Sequence, residues 1–166
     1  MKIIGINLSN NPESINLKLL NKVCDNIKAE VVDFSLIDFP MFKAGEKAPK
    51  NLIVLCEKIK SADKIIFSSP EYNGSYSAFG KNVIDWISTQ GKHDGVKKIT
   101  PLSGKNVFMM SASPGVLGGV RCLPLLQILL LELGCVINGS FATTGGYNDK
   151  FDYTNVFKLT QDFKNG

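Results

Sequence analysis

PEYNGSYSAFGKNVIDW, residues 70–86, follows an apolar run, Ile65-Ile66-Phe67, that ends in Ser68-Ser69. The chain therefore leaves a buried strand and turns sharply at Pro70. Turn chemistry continues through Asn73-Gly74-Ser75, because Asn and Gly tolerate a positive φ and expose backbone amides. From Ser77 onward Phe79, Val83, Trp86 and Ile87 recur at three- and four-residue steps, the period of a helix. A strand, an amide-rich turn and a helix in succession are how an open α/β sheet builds a ligand crevice at its carboxyl edge.

The same alternation extends in both directions. Lys2 to Asn7 reads as a first strand, apolar on both faces as a central parallel strand should be. After a polar loop, Leu8 to Glu13, Ser14 is placed to cap a helix that carries Leu17, Leu20, Val23, Cys24 and Ile27 on one stripe. Glu30 to Phe34 is a second strand, and Ser35 to Lys50 is a surface loop flanking the ligand site. Leu52, Leu55, Cys56 and Ile59 mark a short helix before a third strand, Lys64 to Phe67. Thr89 to Ser103 is polar and turn-rich and holds the single histidine, His93, which reads as solvated. Lys105 to Met110 is a fourth strand, followed by a Ser- and Gly-rich loop, Ser111 to Gly119. Leu123 to Leu133 is a helix apolar nearly all round, ended by Gly134, and burial against a second subunit would explain its outer leucines. Cys135 to Ile137 is a fifth strand and Asn155 to Phe163 a last helix. Five strands alternating with helices imply an α/β fold, a three-layer sandwich with a five-stranded parallel sheet covered on both faces.

Bulk properties bound the function. A chain of 166 residues fits a single domain, 1–166, with 44% hydrophobic and 20% charged residues, ordinary for a globular protein. The net charge of +4 is mild and the lysines are scattered, with Lys97-Lys98 the one adjacent basic pair, so nucleic acid is not an expected partner. Cys24, Cys56, Cys122 and Cys135 lack metal-ligand spacing and read as small buried hydrophobes in a reducing compartment. No signal peptide is recognisable and no apolar run approaches the roughly 20 residues of a membrane span, which makes a cytoplasmic location the expectation.

Three amide-rich loops follow strands one, three and four, and they converge if the strand order is the flavodoxin-like 2-1-3-4-5. The first could be an anion site, with helix N-terminal amides and the helix dipole favouring negative charge, or an ordinary capped loop. No G-x-G-x-x-G or Walker pattern is present, which disfavours a dinucleotide or ATP held in the usual way and suits a mononucleotide such as FMN.

At Pro70 to Trp86 the chain resembles the NADPH-dependent FMN reductase family, whose pattern is roughly PEYNYSIPGVLKNAIDW. Pro70-Glu71-Tyr72-Asn73, Ser75, Lys81-Asn82 and Ile84-Asp85-Trp86 match it without a gap. In the first loop Gly5, Ile6, Ser9, Ser14 and Asn16 match a family run of about GISGSLRKGSFN, and Ser113-Pro114-Gly115 through Gly118-Gly119 is similar to the second ring-binding segment. The resemblance implies a flavodoxin-like fold and an FMN-dependent NAD(P)H oxidoreductase. Ser9, Asn11, Ser14, Ile15 and Asn16 would then meet the FMN phosphate, Asn16 through its side-chain amide. Pro70, Glu71, Tyr72, Asn73 and Gly74 would hold the ring, chiefly through backbone, with Ser113 and Gly115 at its other rim. NADPH or NADH would be the donor and a quinone, azo compound, metal ion or free flavin the small-molecule acceptor. The flavin carries that chemistry, so no catalytic acid, base or nucleophile is nominated. A homodimer or homotetramer is expected, with Phe79 to Trp86 serving packing and dimer contact.

The departures from the pattern are specific. Asn11 stands where the family has Arg, forfeiting a charge-assisted phosphate contact, and Arg121 is the one arginine in the chain. Leu8 replaces a family glycine. Gly80 replaces a family Leu at a cost of about 1 kcal/mol in helix propensity, which close packing across a subunit interface would offset. Two other readings remain: a flavodoxin-like electron carrier, which a net positive charge disfavours, and a non-enzymatic module that has lost FMN.

Overall fold

A computed structural model describes residues 1–35, 37, 39–93, 95, 98–145 and 150–166. Lys97 and the side chains of His93 and Lys98 lie outside them. The elements run β1 (Ile3–Asn7), α1 (Ile15–Ile27), β2 (Glu30–Val32), α2 (Lys50–Ser61), β3 (Lys64–Ser68), β4 (Glu71–Tyr72), β5 (Ser75–Tyr76) and α3 (Ala78–Thr89). They continue with β6 (Lys92–His93), β7 (Lys98–Ile99), β8 (Asn106–Ala112), α4 (Cys122–Glu132), β9 (Val136–Thr143) and α5 (Thr154–Asn165).

Five of these strands form one sheet in the order β2-β1-β3-β8-β9, every neighbour parallel. With two short hairpins set aside, β4-β5 and β6-β7, this is the expected 2-1-3-4-5 arrangement. The period of two along each strand separates the two cores. Ile4, Ile6, Ile65, Phe67, Val107 and Met109 face a layer built by α2, α3 and α4. Ile3, Ile66, Phe108 and Met110 face α1 and α5. Gly5 lets α1 approach β1 closely: a Cβ there would lie 2.5 Å from Cys24 Sγ.

Several details differ from the sequence reading. The buried stripe of α1 runs through Asn16 and Leu19, with Leu17 only half-buried. β9 extends to Thr143 instead of ending at Ile137, because Asn138 forms a bulge that the Asn-Gly-Ser composition disguises as a turn. Val107 pairs with Ile137, but Phe108 pairs with Gly139. The bulge inverts the alternation, so Ile137 and Ala142 belong to one core and Phe141 to the other. The 35–50 segment is partly core: Phe39 is buried and the Pro40 carbonyl accepts from Trp86 Nε1 at 2.9 Å and Asn82 Nδ2 at 3.0 Å.

Trp86 is 2% exposed within its own chain and stacks edge-on against Phe42, so it is a core residue and not a dimer contact. Gly80 is likewise explained inside the chain. A Cβ at this position would meet Leu8 Cβ at 3.0 Å, so the two departures from the family pattern are complementary: Leu8 fills the space that Gly80 leaves. The four cysteines are free and buried. Burial pushes the thiols of Cys24 and Cys135 up to about 12 and that of Cys56 to about 11, which keeps them protonated and inert. Among the described residues no helix is long and apolar enough to cross a membrane.

Candidate functional site

At the carboxyl edge of the sheet the loops after β1, β3 and β8 converge on a cavity of about 200 Å³. Asn11, Ser14, Ile15, Asn16, Pro70, Glu71, Tyr72 and Ser113 line it, together with Glu13, Ala112 and Pro114. Ser9, Asn73, Gly74 and Gly115 lie outside that lining.

The first loop is held by its own polar side chains. Ser9 is buried, its hydroxyl accepting from Asn11 N at 3.2 Å, and Asn11 Oδ1 accepts from Glu13 N at 3.0 Å. Ser14 caps α1, accepting from Asn16 N at 3.2 Å. The Asn16 side chain is engaged elsewhere than expected. Its Oδ1 accepts from Ala112 N and its Nδ2 donates to Ala112 O, both at 2.8 Å, while the Ser68 hydroxyl donates to Asn16 O at 3.1 Å. Asn16 therefore ties the first turn of α1 to the ends of β8 and β3. One N–H of its amide is used in this tie, and a parallel sheet needs such ties where its ladder stops.

The second loop is a two-residue hairpin. Glu71 pairs with Tyr76 and Tyr72 with Ser75, and Asn73 and Gly74 turn the chain with φ of 53° and 80°. Positive φ at both central residues is what an Asn-Gly turn of type I′ supplies. Ser69 and Ser77 anchor its base. Ser69 Oγ accepts from Ser77 N at 3.2 Å, and Ser77 Oγ donates to Leu8 O while accepting from Gly80 N at 2.8 Å.

The hairpin is pinned from below through Glu71. Its carboxylate accepts from the backbone N of Arg121 (2.9 Å) and Cys122 (3.1 Å) at the start of α4, from Arg121 Nε (2.8 Å) and from Arg121 Nη2. Burial opposes its ionisation, yet these hydrogen bonds and the guanidinium together hold the carboxyl below the usual carboxylate range. A Cβ on Gly74 would lie 3.8 Å from Arg121 Cζ, so the guanidinium runs beneath the turn. Nothing in the local sequence marks Arg121 as a site residue. Its signal was its uniqueness, the one arginine in the chain.

Beyond Ser113 the third loop needs its glycines for space. Gly118 has φ of 57°, and a Cβ on it would meet Thr143 C at 2.7 Å; Gly119 has φ of 85° and packs on the fully buried Ser111.

The cavity wall is thus one of hydroxyls, amides and helix N-terminal backbone, with no Lys or Arg among the described residues that line it. Its one exposed carboxylate, Glu13, pairs with Lys18 at 3.4 Å. Such a wall can bind a phosphate by neutral donors and the α1 dipole, and Pro70, Glu71 and Tyr72 share it with Ser113 and Pro114.

The sequence pattern of the NADPH-dependent FMN reductase family matches residues 1–149. A quinone reductase of Escherichia coli K12 is 34% identical over 116 residues, 68% of this chain, which spans only 58% of that relative's length. A protein named NADH-dependent flavin reductase subunit 2, from Lactobacillus johnsonii, is 27% identical over 98% of this chain and 89% of its own. Among solved structures, the Paracoccus denitrificans flavoenzyme NAD(P)H:(acceptor) oxidoreductase superposes with a TM-score of 0.77 at 22% identity, covering 99% of this chain and 94% of that one.

Proposed function

This chain belongs to the NADPH-dependent FMN reductase family, and from that premise we propose that it is an FMN-dependent NAD(P)H oxidoreductase acting on a small acceptor such as a quinone, azo compound, metal ion or free flavin. The observation that carries this reading is the convergence of the three loops on one cavity at the carboxyl edge. The residues fit FMN. Ser14 and Ile15 at the α1 N-terminus, with Ser9 and Asn11 in the loop before it, would hold the phosphate, and Asn16 would serve by joining that loop to β8. Pro70 to Gly74, with Ser113 and Gly115, would border the ring. When bound, FMN supplies the hydride chemistry between a nicotinamide, NADPH or NADH, and the acceptor. The protein's own share is binding, orientation and access. Purified protein titrated with FMN should show bound-flavin absorbance that bleaches with NAD(P)H; no FMN binding overturns the reading.

Because the described residues of the lining include no cation, the phosphate should add little affinity. Riboflavin and FMN are expected to bind within about tenfold of one another, a difference of about 1.4 kcal/mol. Asn11→Arg should tighten FMN about tenfold and leave riboflavin unchanged, in keeping with the 1.5–3 kcal/mol or so of a hydrogen bond to a charged group. Fluorescence titration of both flavins against both proteins checks this, and equal gains for the two would remove the first loop from the phosphate.

The partner we propose is a second copy of the chain, seated on the outer face of α4. Leu125, Ile128 and Leu131 are exposed there, Ile128 by 66%, beside a shallow cavity lined by Tyr76, Leu129 and Glu132. An apolar helix face of this kind is covered in most proteins. Ile128→Glu should leave the fold intact and shift the protein to a monomer in sedimentation velocity; an unshifted oligomer places the interface elsewhere.

A further inference from the structure

We propose that the Glu71–Arg121 ion pair sets the charge beside the flavin ring, each partner cancelling the other while together they fix the ring-binding hairpin on α4. The inference rests on the flavin reading above. Glu71 is the one carboxylate on the hairpin; it lines the cavity, and its side chain is only 4% exposed. Arg121 is not among the residues lining the cavity and is 57% exposed. The two are therefore unequal in what they leave behind. Loss of the arginine strands a buried carboxylate against the ring, held by the amides of residues 121 and 122. Loss of the glutamate strands a guanidinium under the Asn73-Gly74 turn.

Two-electron reduction of FMN near neutral pH takes up two electrons and about one proton, so the ring gains negative charge. A neighbouring anion opposes that gain and a neighbouring cation favours it, more strongly in a partly desolvated cleft than in water. The intact pair leaves the balance near neutral. Removing one partner at a time should then move the flavin potential in opposite directions, which loosening of the hairpin alone would not do.

The experiment uses FMN-loaded protein and measures the two-electron potential by reductive titration with a reference dye at mildly alkaline pH, alongside FMN affinity. Glu71→Gln is expected to raise the potential and Arg121→Gln to lower it. Arg121→Lys retains the charge without the planar fork. It should keep a potential near that of the natural protein while FMN affinity falls, by about tenfold at most, as it does in the two glutamine variants. Potentials that move in the same direction, or not at all, in both glutamine variants overturn the proposal while leaving the flavin reading in place. A natural protein that binds no FMN overturns both. If Glu71→Gln does not fold, the contrast between Arg121→Gln and Arg121→Lys decides: equal potentials in these two sink the proposal.

Discussion

Replacing Asn16 with alanine is expected to destabilise the protein by about 3 kcal/mol and to weaken FMN binding by more than tenfold. The side chain is fully buried and satisfies both backbone polar groups of Ala112. Alanine would leave a buried N–H and a buried C=O without partners, each worth about 1–3 kcal/mol when stranded. The functional loss follows from the same two bonds. They join the α1 N-terminus, proposed to face the phosphate, to the strand end that leads into Ser113, proposed to face the ring. Without them the two halves of the cavity are no longer held at a fixed spacing. Urea denaturation and FMN titration on one preparation check both effects. A variant that is destabilised yet binds FMN at full affinity would show that the tie serves the fold alone.

The second large effect concerns Gly80 and Leu8. Gly80→Leu restores the family's residue on α3 yet is expected to cost about 3 kcal/mol, at the upper end of typical overpacking penalties. A Cβ here would lie 3.0 Å from both Leu8 Cβ and Ser77 Oγ, and the first of these contacts no rotamer change can relieve. Leu8→Gly alone should also destabilise by about 3 kcal/mol, since it empties a fully buried position. Together the two changes should cost less than either one alone, with a coupling of about 3 kcal/mol or more. Denaturant midpoints of the three variants close this cycle, and additive losses would refute the exchange of volume between loop and helix.

Much of this was legible in the chain itself. Five apolar runs separated by helical periods led to the parallel sheet and its order, and the PEYN segment with its Asn-Gly pair marked the turn at the carboxyl edge. What failed did so for physical reasons. The extent of β9 was hidden because its bulge breaks the period of two on which strand reading depends. Trp86 lies on a helix that faces α2 and the 35–50 segment, and periodicity shows that a face is buried without saying by what. The engagement of Asn16 with Ala112, 96 residues away, leaves no local trace. Nor does the pairing of Glu71 with Arg121 across 50 residues, although a lone arginine in a lysine-rich chain invites the question of what it holds.

The bulge at Asn138 bears on how the protein behaves in a crowded solution. β9 is an edge of the sheet, and an edge with a long regular row of unpaired amides and carbonyls recruits strands from other molecules. Here the row is interrupted and its twist altered at the second residue after Val136, while the opposite edge, β2, is only three residues long. Deleting Asn138 would remove the bulge and make the outer row regular while leaving Phe141 opposite Met110, in the core it now fills. The one extra residue thus interrupts an edge that would otherwise be an even template for another strand, and the far half of β9 stays in phase with the sheet around it.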